Sequence, residues 1–322
     1  MPIIFNRSKY ENLTPKLKEA RTMSRWIELT TLGTGGAYPG ENRFTASYAI
    51  RDWLGNIILL DVGEGTQHRL RQADIPLTRI NTIAITHGHG DHINGLPGLL
   101  QSMYLNTRNI PLNIIAPKDV IKFIKDALEV EGNHLGFNIN LYEISANGML
   151  EIFNQKGDRL NIYWYPSCHS RESYCYTLEW NLRPRINIEE MKKQGIYPGP
   201  DIEKYFELED NRMLIRINPF KISYTGDTKP CDNIVSCVKE SNVIIHESTF
   251  SDDHQSEAEK FYHSTGRGAA LSAKKSKASL LILTHISSRY EGFEAIEIEK
   301  QAKEEFKNTI LTWDLAKYRF VL

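Results

Sequence analysis

Short apolar runs recur along the chain, each closed by Gly, Pro, Asn, Asp or Ser, the pattern of strands bounded by turns. The first clear run, Trp26–Gly33, enters the glycine-rich turn Gly33-Thr34-Gly35-Gly36. Further strand-like runs cover Thr45–Arg51, Asn56–Val62, Ile80–Thr86, Leu112–Ala116 and Leu160–Pro166. They continue with Tyr174–Trp180, Phe220–Gly226, Asn242–Glu247, Leu280–His285 and Thr309–Thr312. The stretches between them predict helices over Gly95–Asn106, Lys118–Glu129, Asp232–Ser241, Thr265–Lys275 and Gly292–Phe306. Strands mixed with helices in both halves predict an α/β sandwich rather than a barrel of one repeated unit. No internal repeat at a period of about 20–50 residues interrupts that reading.

Two segments stand apart from the rhythm. Residues 1–22 are polar and mildly basic without a period, and are expected to extend beyond a folded unit of residues 23–322. Residues 181–219 combine charge with Pro184, Gly195, Pro198, Gly199 and Pro200, between strands on both sides. An insertion this long, with little apolar content, is more often functional than connective.

Composition narrows the class. The chain has 322 residues, 41% hydrophobic and 25% charged, which suits a globular protein with a real core and excludes wholesale disorder. No apolar run reaches the roughly 18 residues of a membrane-spanning helix, and the N-terminus lacks the apolar stretch of a secretory signal. Four cysteines (Cys168, Cys175, Cys231, Cys237) are too few for a disulfide scaffold of this size, so a reducing cytoplasm is the expected location. Cys168 is expected to pack rather than to bind metal. With 39 Lys+Arg against 40 Asp+Glu, the net charge of -1 excludes a uniformly basic surface but not a local basic patch.

The chemistry concentrates in Ile83-Ala84-Ile85-Thr86-His87-Gly88-His89-Gly90-Asp91-His92. A buried strand runs straight into a loop with three imidazoles and a carboxylate, and the two glycines let that loop turn tightly. Nitrogen and oxygen donors suit zinc, manganese or iron, and the lack of cysteine argues against a structural zinc knuckle. Four donors do not complete a two-metal site. His169, Asp227 and His285, each following an apolar run, supply the rest at a sheet edge, where α/β proteins collect their chemistry. Two metals sharing a carboxylate form a recurring device for phosphoester hydrolysis.

The pattern His87-x-His89-x-Asp91-His92 with His169, Asp227 and His285 resembles the metallo-β-lactamase fold, an αβ/βα sandwich of two packed mixed sheets with outer helices. Finer motifs resemble one branch of it, the ribonuclease Z family of tRNA 3′-processing endonucleases. They are Asp61-Val62-Gly63-Glu64-Gly65-Thr66-Gln67, Gly90-Asp91-His92-Ile93-Asn94-Gly95-Leu96-Pro97-Gly98-Leu99-Leu100 and Thr225-Gly226-Asp227-Thr228-Lys229-Pro230. His246-Glu247-Ser248-Thr249-Phe250, His263-Ser264-Thr265 and Thr284-His285-Ile286-Ser287-Ser288-Arg289-Tyr290 follow in the family's order. The likeness covers about residues 24–322. Arg43-Phe44 departs from the family's usual Arg-Asn pair, and Gln101–Asn106 points to an archaeal-type member.

The resemblance implies two Zn²⁺ per subunit, with Mn²⁺ or Fe²⁺ as substitutes. His87, His89 and His169 would hold one, Asp91, His92 and His285 the other, and Asp227 would bridge them. Asp91 would also take a proton from the attacking water, while Glu247 and His263 form a pair beside the metals. Asp61 would orient a ligand imidazole, and Ser287 and Arg289 would grip phosphate or the tRNA end. Within 181–219, Lys192, Lys193 and the turn Pro198-Gly199-Pro200 resemble the arm with which such enzymes hold tRNA. The implied activity is hydroxide attack on precursor tRNA after the discriminator nucleotide, leaving a 3′-hydroxyl, in a cytoplasmic homodimer. The alternatives are a hydrolase of small phosphodiesters or sulfate esters, and a non-enzymatic binding protein, which a full set of seven donors disfavours.

Overall fold

The computed structural model describes residues 25–130, 132, 135–155, 157–195, 205–206, 212–290 and 292–322. Residues 1–22 and the Pro198-Gly199-Pro200 turn lie outside them. Two seven-stranded mixed sheets make up the body. The first has the spatial order Lys317–Val321, Trp26–Gly33, Ser47–Asp52, Ile57–Leu60, Ile80–Ala84, Leu112–Pro117, Ile139–Ile144. The second runs Thr309–Leu311, Leu281–Thr284, Val243–Glu247, Phe220–Tyr224, Tyr174–Asn181, Asp158–Pro166, Gly148–Gln155.

The period of two along a strand explains how the layers stack. Ile58 and Leu60 point into a central core with Tyr48, Tyr176, Trp180, Tyr224 and Ile245, drawn from both sheets. Their neighbours Ile57 and Leu59 point the other way, onto the helices Leu96–Leu105 and Lys118–Val130. On the outer face of the second sheet, Ile244, Leu281 and Leu283 meet Gly266–Lys275 and Phe293–Glu305. Strands covered on both faces need near-continuous apolar runs, which is why these segments lack polar alternation. The result is the αβ/βα sandwich.

The predicted strands and helices are present, mostly shortened by one or two residues at their ends; Asp232–Ser241 stops at Cys237. Three strands of the two main sheets were not foreseen: Ile139–Ile144, Gly148–Gln155 and Lys317–Val321. All three are sheet edges with several half-buried or exposed positions, so their sequences carry little apolar signal. Short helices at Thr66–Gln72 and Gln255–Phe261 also carry too few apolar residues to be read from periodicity.

The insertion connects two strands that pair directly, with Trp180 opposite Phe220. At its base, Arg185–Ile186 pairs with Leu214–Ile215. The helix Ile188–Lys193 follows, capped by the Asn187 side chain accepting from the Glu190 N–H. Contrary to its polar composition, this base buries Met191, Met213 and Leu214.

The cysteines correct the sequence reading. All four are oxidised, as Cys168–Cys231 and Cys175–Cys237. Cys168 is therefore covalently tied rather than merely packed, and the count of cysteines was a poor guide to their state. Each bridge closes a loop of more than 60 residues. In the chain-entropy picture, cross-links over loops of that length stabilise by about 4 kcal/mol apiece.

Candidate metal centre

The seven predicted donors come from both sheets and converge at one end of the sandwich. Ile80–Ala84 delivers His87 and His89, and a single helical turn, Gly90–Ile93, carries Asp91 and His92. From the second sheet, Asp158–Pro166 leads to His169, Phe220–Tyr224 to Asp227 and Leu281–Thr284 to His285. Each follows the C-terminal end of its strand.

They form two sets that share Asp227. In the first, His87 Nε2 lies 2.9 Å from His89 Nδ1, and His169 Nε2 lies 3.2 Å from the same nitrogen. Asp227 Oδ2 stands 3.6 Å from His87 Nε2 and 3.9 Å from His169 Nε2. In the second, His285 Nε2 is 3.2 Å from Asp91 Oδ2, 3.2 Å from Asp227 Oδ1 and 3.3 Å from His92 Nε2. Asp227 thus offers one oxygen to each set.

The donors fit divalent cations on their own chemistry. Burial first, and the neighbouring His92 second, push His87 well below its usual pKa; burial also lowers His89 and His169. These imidazoles present lone pairs toward one another. Burial alone would raise Asp91 and Asp227, yet adjacent imidazoles hold both carboxyls below the usual range. Asp227 Oδ1 is buried without a hydrogen bond, although two imidazole nitrogens lie beside it. Convergent unshared lone pairs are costly unless a cation takes them.

The groups behind the donors fix their orientation, as in metal sites generally. Asp61, fully buried, accepts from His92 Nδ1 at 2.7 Å, Thr86 N at 2.7 Å, Thr86 Oγ1 at 2.9 Å and Tyr224 Oη at 2.8 Å. Asp61 and His285 both adopt left-handed backbone, with φ of 58° and 56°, a conformation that costs non-glycine residues energy and persists at sites that need it. Gly36 must lack a side chain, because a Cβ there would meet the His285 ring at 2.6 Å. The next N–H, that of Ala37, donates to Asp91 Oδ2 at 2.8 Å.

Beside the donors, His263 Nδ1 meets Glu247 Oε1 at 3.0 Å. The buried Glu247 carboxylate also accepts from Thr228 N, Ser264 N, Thr249 N and Thr249 Oγ1. Burial would lower the His263 pKa, but Glu247 outweighs it and raises His263 to about 9. Thr265, not His263, caps the following helix, accepting from Gly268 N.

Sequence reasoning missed several participants. Thr249 Oγ1 sits 3.0 Å from His285 Nδ1 and 2.7 Å from Glu247 Oε2, so it links a candidate donor to the Glu247–His263 pair. Its place in His246-Glu247-Ser248-Thr249-Phe250 was the available signal. The Tyr262 carbonyl lies 3.2 Å from His169 Nδ1, a backbone role no sequence pattern reveals.

The residues expected to touch substrate divide. Ser287 and Arg289 line the open cleft of about 850 Å³ above the donors, and Arg289 pairs with Glu257 at 2.9 Å. Lys192 and Lys193 are exposed on the insertion's helix, Lys193 with Glu190 at 3.6 Å. Phe44 does not line the cleft; its ring packs against Gly65 with the Arg69 guanidinium 4.2 Å from its centre.

Comparison with known proteins fits this geometry. The profile of the family described as anti-Pycsar protein Apyc1 matches residues 27–184, ending before Asp227, Glu247, His263 and His285. Ribonuclease Z of Aeropyrum pernix is 40% identical over 89% of this chain and 96% of its own length. The crystal structure of human tRNase Z, short form, superposes with a TM-score of 0.66 at 26% identity, covering 90% of this chain and 98% of that one. The metallo-β-lactamase fold protein YhfI of Bacillus subtilis gives 0.67 at 17% identity over 91% and 99%, a likeness of fold. By sequence, fold and the order of its motifs, the chain belongs to the ribonuclease Z family.

Proposed function

We propose that this cleft cuts precursor tRNA after the discriminator nucleotide, releasing the 3′ trailer and leaving a 3′-hydroxyl on the tRNA. The observation that carries this reading is the pair of donor sets joined through Asp227, with His263, backed by buried Glu247, on the wall of the same cleft. Two zinc ions would be held by His87, His89 and His169, and by Asp91, His92 and His285, with Asp227 between; manganese or iron suits the same donors. When bound, such ions acidify water and neutralise charge developing on phosphoryl oxygens.

The chain's own residues supply the remainder. Asp91 accepts the proton of the attacking water. His263, kept protonated by Glu247, donates to the leaving 3′-oxygen. Asp61 holds the His92 ring in place, while Ser287 and Arg289 face the strand being cut.

Residues 181–219 are assigned as the arm that grips the tRNA body through Lys192, Lys193 and the Pro198-Gly199-Pro200 turn. The enzyme would act as a homodimer in the cytoplasm, where its substrate is made. No helix among the described residues is long and apolar enough to cross a membrane. The small-ester alternative is not favoured, since the full-length relative is a ribonuclease Z.

Incubation with a 3′-extended precursor tRNA, with and without chelator, tests the reading. The expected product is a single chelator-sensitive cut after the discriminator with a free 3′-hydroxyl. A fully metallated protein that leaves the precursor intact but hydrolyses small phosphodiesters refutes it. A second expectation concerns the arm. Replacing residues 183–215 by a Gly/Ser linker should weaken precursor binding and flatten its salt dependence, because fewer phosphates are neutralised, while sparing a small chromogenic phosphodiester. Unchanged affinity and salt slope would remove the arm from tRNA binding.

A further inference from the structure

Around the metal donors the cleft is polar, yet two large aromatic rings stand exposed on its lining. Tyr38 is 62% exposed and Phe261 49%. A third, Phe250, is almost buried between His263 and Arg289, and so serves packing. Exposed rings in a cleft that must admit water lose apolar contact unless a ligand covers them.

Their positions differ with respect to the reacting groups. Phe261 ends the helix Gln255–Phe261, and one left-handed residue, Tyr262 with φ 60°, turns the chain into His263. Lys260 places its ammonium 5.3 Å from the centre of the Phe261 ring, a cation beside an aromatic face. Tyr38 instead stands on the Asp91 side of the donors, directly after Ala37, whose N–H donates to Asp91 Oδ2. A cleft of about 850 Å³ has room for more than one phosphodiester unit.

We infer that Phe261 and Tyr38 are base-stacking residues that splay the RNA strand across the cut, Phe261 taking the discriminator base and Tyr38 the first trailer base. The inference rests on the nuclease reading above, in which His263 faces the leaving 3′-oxygen. That oxygen belongs to the discriminator nucleotide, so its base falls beside Phe261. The next nucleotide, attached through its 5′-oxygen, extends toward Tyr38. Every base has a π-face, so stacking holds a single strand without demanding one sequence. It suits an enzyme whose substrates share a junction but not the bases around it.

The test pairs side-chain removal with base removal. Phe261→Ala and Tyr38→Ala are assayed in single turnover on an unmodified precursor tRNA and on two precursors, abasic at the discriminator or at the first trailer position. Each alanine variant should lower kcat/KM on the unmodified substrate by about 5–100-fold, the reach of one stacked base. Phe261→Ala should add little on the discriminator-abasic substrate yet keep its full effect on the other; Tyr38→Ala should show the reverse. Phe261→Trp should restore cleavage, and Phe261→Leu, which keeps apolar bulk without a flat face, should not. Metal content and thermal stability measured beside them exclude collapse of the site. Equal losses on normal and abasic substrates would overturn the stacking roles. If the wild-type protein fails to cut the unmodified precursor, the nuclease reading itself falls, a result distinct from wild-type cleavage without the selective coupling.

Discussion

Asp91→Ala is expected to lower precursor cleavage by roughly 10⁴-fold or more while the fold survives, because in the proposed mechanism the carboxylate is both a metal donor and the proton acceptor. Its oxygen contacts only groups of the site itself: Ala37 N–H, His92 and His285. Asp91 itself is only half-buried, although the same short turn, Gly90–Ile93, buries His92 and Ile93. Turnover and metal-to-protein ratio should be measured on one preparation. Loss of about one metal equivalent with an unchanged melting temperature is the expected pattern. Activity within tenfold of wild type would dismiss the assignment.

His263→Ala is expected to retain metal and tRNA binding and to slow single-turnover cleavage by about 10²–10⁴-fold, the usual reach of general acid catalysis. Glu247→Ala should act in the same direction, and the double variant should be little worse than the more damaging single one, because both act through one proton. A nitrophenolate leaving group hardly needs protonation, so nitrophenyl ester hydrolysis should largely escape; an equal fall on both substrates contradicts the role. The pH dependence has a definite sign. His263 is raised from 6.5 to about 9, so its favourable interaction with Glu247 is complete below about pH 6.5 and is lost as pH rises toward 9. Bound cations would draw that upper value down. Cleavage of tRNA should therefore fall as pH rises through the His263 value of the metal-loaded enzyme, while the stability difference between wild type and His263→Ala, measured without metal, should shrink between about pH 6.5 and 9.

How much of this was legible in the sequence depends on the kind of interaction. His87, His89, Asp91 and His92 are neighbours in the chain, and the glycines between them announce a loop, so the centre could be located directly. His169, Asp227 and His285 are remote from that loop, but each follows an apolar strand, which placed them at a sheet edge. What stayed hidden was whatever depends on three-dimensional approach. The Thr86 and Tyr224 hydrogen bonds into Asp61, the Thr249 contacts and the Tyr262 carbonyl belong to ordinary residues placed by packing. The same limit explains the cysteines. Cys168 meets Cys231 across 63 positions only because their loops lie side by side at the donor end. Edge strands such as Gly148–Gln155 were illegible for the opposite reason, since a half-exposed strand is under little pressure to look like one.

The division of the donors between the two sheets has a consequence for the protein's synthesis. A ribosome adding about 5–20 residues per second needs on the order of ten to forty seconds to travel the roughly 200 residues from His87 to His285. For about the first 140 residues of that interval the emerging chain lacks Asp227, the carboxylate that joins the two sets, and His285 arrives only at its end. Nor does it yet have the partner strands that would hold His285 in its left-handed turn. A nascent chain is thus a metal chelator at most, and it becomes a nuclease only after its second half has docked. Nuclease competence is thereby tied to completion of the fold, which keeps a half-made hydrolase from acting on the RNA crowded around the translating ribosome.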